Sequence, residues 1–80
     1  MPYTLRTDTP EGKIMWLAKE GFLKKWRRGA EIQGALTNKG WGMEPIKVTK
    51  ALDNLVNNGF VGKQRTDRAE YKLAEFVTIQ

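Results

Sequence analysis

Three times along the chain a leucine is followed, after three residues, by a glycine and an aromatic: Leu17 with Gly21-Phe22, Leu36 with Gly40-Trp41, and Leu55 with Gly59-Phe60. This spacing is the signature of a helix C-terminus. The glycine adopts the left-handed conformation, and the next apolar residue folds back on the leucine one turn earlier. The segments before each leucine share no further likeness, so the pattern predicts three different helices and not a repeat array. The first spans about 9–20. It opens at Asp8 or Thr9, with capping-box spacing between Asp8 and Glu11 and with Pro10 in the first turn. Ile14, Leu17, Ala18 and Gly21 share one face, and Trp16 points away among Lys13, Lys19 and Glu20. The second helix spans about 29–39 with Ile32, Ala35 and Leu36 inward. The third spans about 45–58, starts at Pro45, and turns Val48, Ala51, Leu52, Leu55 and Val56 inward.

After Gly59 the period changes to two. Val61, Lys63 and Arg65 share a side, and so do Ala69, Tyr71 and Leu73. The link 66-TDR is short and turn-forming, so residues 60–73 are expected to make an antiparallel hairpin. The link 22-FLKKWRRG has room for a brief strand at Trp26. The tail 74-AEFVTIQ either adds a strand or folds back on Tyr3 and Leu5. The expected class is therefore α+β, mostly α, in one domain over 1–80. A three-helix bundle carries a C-terminal hairpin between terminal segments 1–8 and 74–80.

Composition narrows the function. The 80 residues include no cysteine and no histidine. That argues against a disulfide, a transition-metal centre and the commonest general base. No serine is present, no threonine or lysine has an activating partner, and the glycines fall at caps and turns, not in a phosphate loop. No catalytic residue, metal, cofactor or small-molecule site is read from the chain. No apolar run approaches membrane-spanning length, and 1-MPYTLRTD has no signal-peptide core, so a cytoplasmic protein without membrane partners is expected. Fourteen Lys and Arg against nine Asp and Glu give a net charge of +5, which suits a polyanion.

The stretch 48-VTKALDNLVNNGFVGKQRTDRAEYKL resembles the recognition helix and wing of small prokaryotic winged helix-turn-helix transcription regulators. The likeness runs over residues 29–73, and 13-KIMWLAKEGFL is similar to that superfamily's first helix. It departs from the pattern in the longer turn 40-GWGMEP and in Ile46, where a small polar residue is expected. The resemblance implies a winged helix with a basic β-hairpin wing, and a cytoplasmic or nucleoid-associated regulator of transcription that binds double-stranded DNA. Carried over by position, it puts Lys47, Thr49, Lys50 and Asn54 on the exposed face of the third helix and Lys63, Arg65 and Arg68 in the wing.

The residues support that reading on their own terms. A helix fits the major groove, where lysine meets guanine O6 and N7, asparagine meets adenine, and Ile46 can touch a thymine methyl. The basic hairpin residues suit phosphates. Arg27 and Arg28 oppose the dipole of the second helix, a mild cost that phosphate contact would offset. The plainer alternative for each of these is solvated surface. Trp41 is expected to pack on Leu36, and Trp26 to cover the core beside the second helix. Trp16 either lies under Phe76 and Ile79 or, with Met15 and those two residues, forms a protein interface, for instance in a homodimer. A winged-helix module for protein–protein interaction in a larger complex is the alternative function. RNA binding ranks third, because no aromatic platform on a sheet is apparent.

Overall fold

A computed structural model describes all of residues 1–80. The elements in order are β1 (Pro2–Tyr3), α1 (Pro10–Lys19), a 3-10 turn (Phe22–Lys24), β2 (Arg27–Arg28), α2 (Gly29–Asn38), α3 (Pro45–Asn57), β3 (Val61–Arg65), β4 (Ala69–Leu73) and β5 (Thr78–Ile79).

The helix ends follow from local chemistry. Thr9, not Asp8, caps α1: its Oγ1 accepts from the Gly12 N–H at 3.0 Å. The Asp8 carboxylate is turned to Arg6 at 2.7 Å instead. Gly21, Gly40 and Gly59 all have positive φ, at 94°, 79° and 80°. Behind α2 the Trp41 N–H donates to Leu36 O at 2.9 Å and the Gly40 N–H to Thr37 O at 3.0 Å. Behind α3 the Phe60 N–H donates to Leu55 O and the Gly59 N–H to Val56 O, each at 3.0 Å. Both are complete Schellman closures. At α1 only the Gly21 N–H to Ala18 O bond forms, at 3.0 Å, and the chain runs on into the 3-10 turn.

The expectation of a mostly α winged helix, a three-helix bundle with an appended hairpin, is corrected by the strands. Three helices combine with five strands in two sheets, a small α+β fold. The hairpin is not a free projection. Its second strand, β4, lies at the centre of a three-stranded sheet ordered β2-β4-β3, with Arg27 opposite Tyr71 and Arg28 opposite Glu70. The other sheet pairs β1 with β5 in parallel, Pro2 with Thr78 and Tyr3 with Ile79. The Leu5 N–H extends it by donating to Gln80 O at 2.9 Å. Three of these strands are two residues long, too short to show any periodicity.

The core joins Ile14, Met15, Leu17 and Ala18 of α1 to Ile32 and Leu36 of α2, to Val48, Ala51, Leu52 and Leu55 of α3, and to Leu23, Val61 and Tyr71. Met15 is 0% exposed, so it belongs to this core and not to an interface. Its place follows from α1 being covered on two sides, by α2 and by α3. Trp16 is half-buried, but not under the tail: its ring meets Trp41 edge-on at 6.3 Å, with the Lys19 ammonium 5.2 Å away. Ile79 packs against the core from β5. Phe76, in the turn before β5, is 83% exposed.

Tyr71 and Tyr3 are both pushed above the ordinary tyrosine pKa, first by burial and then by the negative charges of Asp53 and Glu11 respectively. A raised pKa means that the neutral phenols' contribution to stability is complete below pH ~10 and is lost as pH rises through the folded-state values. Melting temperature is expected to fall more steeply above pH ~10 in the native chain than in a Tyr71→Phe variant. Parallel curves would show that Tyr71 is not responsible.

Candidate nucleic-acid interface

α3 separates its two faces cleanly. Val48, Ala51, Leu52 and Leu55 are buried, while Lys47, Thr49, Lys50, Asp53, Asn54 and Asn57 are exposed. Ile46, in the first turn, is 62% exposed. Lys47 and Lys50 enter no ion pair. The Thr49 hydroxyl donates back to Pro45 O at 3.1 Å, so its proton is spent within the helix and only its lone pairs face outward. Asn54 makes no side-chain hydrogen bond within the protein, and its amide keeps both donor and acceptor capacity.

The hairpin adjoins this face. The Lys63 ammonium lies 3.9 Å from Asp53 Oδ1 of α3 and 5.9 Å from the Tyr71 ring. It is therefore partly neutralised and partly held. Arg65 sits two residues further along the same side of β3, about 7 Å beyond Lys63. Arg68 follows in the connecting loop, where the Thr66 N–H donates to Arg68 O at 3.3 Å. Both arginines are exposed and without an ion-pair partner, although Asp67 lies between Thr66 and Arg68. The Asp53–Lys63 contact thus joins the α3 face of Lys47, Lys50 and Asn54 to the hairpin that carries Lys63, Arg65 and Arg68.

The structure does not bring Arg27 and Arg28 there. Arg27 Nε donates to Phe22 O at 2.9 Å, its guanidinium stacks 4.4 Å from the Phe22 ring, and Nη1 meets Glu31 Oε2 at 3.4 Å. This arginine braces the turn before α2. Arg28 precedes α2 and gives its backbone N–H to Glu31 Oε1 at 3.1 Å. That N–H and the Arg27 guanidinium hold the Glu31 carboxyl below the usual carboxylate range. Glu31 also places a negative charge in the first turn of α2, so the mild dipole cost of the arginine pair is offset inside the protein and calls for no phosphate. The Arg28 side chain is exposed and unpaired, opposite Glu70. Glu70 alternates with the buried Tyr71, so Arg28 lies on the sheet face turned away from the core.

Two features were hidden from sequence reading. Asp53, on the exposed face of α3, ties that helix to the hairpin through Lys63. Trp26 does not cover the core: it lies across Gly62 on the outer side of the sheet, 37% exposed, with the Lys72 ammonium 5.9 Å from its ring. Only strand register could have revealed this.

No helix of the protein is long and apolar enough to cross a membrane. No protein-family model matches the chain, and no curated protein matches it either. The resemblance to winged-helix regulators is accordingly a likeness of residue pattern alone.

Proposed function

We propose that the chain binds duplex DNA through the exposed face of α3 and the tip of the β3–β4 hairpin, as a small regulator of transcription. The observation that carries this reading is the connected surface itself. The free cations Lys47 and Lys50 and the free amide of Asn54 share one helix face, joined through Asp53 and Lys63 to the free arginines Arg65 and Arg68. A helix with such a face suits the major groove: lysine is a donor for guanine O6 and N7, Asn54 for paired contacts to adenine, and Ile46 for a thymine methyl. The hairpin arginines suit phosphates, which fix position without reading sequence. The net charge of +5 adds long-range attraction.

The test is fluorescence anisotropy with labelled random-sequence duplex over a salt series, followed by selection of a preferred site. Binding that weakens steeply with salt is expected. Lys50→Ala is expected to weaken binding to the selected site by about tenfold, within the ~1–3 kcal/mol of one base contact, and to change random-duplex binding far less. Equal losses on both duplexes would remove α3 as the reader.

A second reading, a docking module for another protein or a second copy, draws on the exposed Phe76 and Ile46. It no longer includes Met15, which is core. Light scattering over a concentration series separates it from the first.

A further inference from the structure

Beside Trp26 the sheet holds a shallow hollow of about 200 Å³, walled by the indole, Gly62, Lys72 and Glu75. Three facts make it unusual for a protein surface. The indole lies outside the buried core and keeps 37% of its surface open to water. The strand beneath it carries no side chain at Gly62, where a Cβ would meet the edge of the ring in ordinary contact at 3.7 Å. Two cations share this outer face, Lys72 over the ring at 5.9 Å and Arg28 two residues along β2, and neither has an ion-pair partner. Glu70, the acid opposite Arg28, accepts from Gln64 Nε2 at 2.9 Å, which holds its carboxylate toward β3 without cancelling its charge.

We infer that this outer sheet face is a second nucleic-acid site, which stacks one unpaired base of a single strand on Trp26 while Arg28 and Lys72 meet the flanking phosphates. A part-exposed indole with Lys72 over it and Arg28 on the same face fits a planar group carried on an anionic backbone, and base stacking on an aromatic needs no particular sequence. Glu75, at the rim of the hollow, is an acceptor and repels phosphate, so the group that faces it is a base edge bearing an amino group. Arg28, misplaced for the α3 surface, finds its use here. The site rests on observations separate from those behind duplex binding, and the two can fail independently.

The experiment titrates the full chain with a single-stranded oligodeoxycytidylate near neutral pH and follows tryptophan fluorescence. Quenching is expected in the native protein. Trp26→Ala is expected to lose most of the quench and about tenfold in affinity, and Trp26→Phe to keep part of the affinity, since stacking one base is worth ~1–3 kcal/mol. Circular dichroism melts establish that both variants are folded, as Trp26 lies outside the core. Lys50→Ala is expected to leave the quench intact while it weakens duplex binding. The inference is overturned by an absent quench, by equal affinity in Trp26→Ala, or by loss of the quench in Lys50→Ala, which would put the single strand on α3. It is also overturned if the native chain dimerises in light scattering and Trp26→Ala does not, which would give the face to a second copy.

Discussion

Gly12→Ala is expected to lower the melting temperature by about 10–20 °C. Gly12 lies in the first turn of α1, directly under the N-terminal segment, and a Cβ there would stand 1.3 Å from the Arg6 carbonyl oxygen and 2.6 Å from its carbon. No side-chain rotation relieves a clash with backbone. The segment before Thr9 must lift, and it carries β1, the Leu5 to Gln80 bond and the approach to the Thr9 cap with it. Overpacking of this kind costs about 2–3 kcal/mol or more, and each kcal/mol moves the midpoint of a domain this size by about 4–8 °C. Gly34→Ala is the matched control. It sits within α2 with open space where a Cβ would go, so the methyl is expected to stabilise by ~0.5–1 kcal/mol and raise the midpoint. Thermal melts by circular dichroism read both signs. An unchanged midpoint for Gly12→Ala would mean that the N-terminal segment does not cross α1 at this residue.

That pair of glycines shows what sequence reading can and cannot reach here. Both stand inside helical patterns and look alike in one dimension. What separates them is a contact between residues 6 and 12 made by a segment with no period of its own. The glycines at 21, 40 and 59 were legible because a helix end is a local event: leucine, glycine and aromatic lie within one turn, and the left-handed φ follows from the missing Cβ. The boundaries of α2, α3, β3 and β4 were legible to within a residue or so for the same reason, that each has a period and a stop signal.

The strands that changed the fold class had neither. β1, β2 and β5 exist only through partners far along the chain: β2 is a strand because Tyr71 and Glu70 lie beside it. This made a three-stranded sheet out of an expected hairpin. It also decided the fate of three side chains at once. Arg27, beside Tyr71, turned in to the Phe22 ring; Arg28 turned out; and Trp26 followed the outer face instead of the core. The candidate surface divided along the same line. Its α3 half was legible from the helical wheel. Its link through Asp53 and the loss of Arg27 from it depended on tertiary contacts.

Replacing Arg65 and Arg68 together by alanine is expected to lower duplex affinity by about 100-fold near 50 mM salt and by only about sixfold to eightfold near 0.2 M. The narrowing is the informative part. Each arginine that neutralises one phosphate contributes about 0.9 to the slope of log affinity against log salt, so the double variant is expected to be shallower by roughly two. Both guanidiniums are free of internal ion pairs, so little of their charge is already spent. Lys63→Ala is expected to change the slope by clearly less, because its ammonium already faces Asp53 at 3.9 Å and returns only part of a charge to the DNA. Arg27→Ala should leave the slope alone and act on stability, since its guanidinium is committed to Phe22 and Glu31. Anisotropy with one random duplex across four salt concentrations distinguishes these variants. If the double variant keeps the native slope, the hairpin tip does not touch phosphate, and whatever duplex binding exists belongs to α3 or to the Lys72 face. If Lys63→Ala flattens the slope as much as an arginine does, then Asp53 releases it on binding, and the joint between helix and hairpin opens when DNA is engaged.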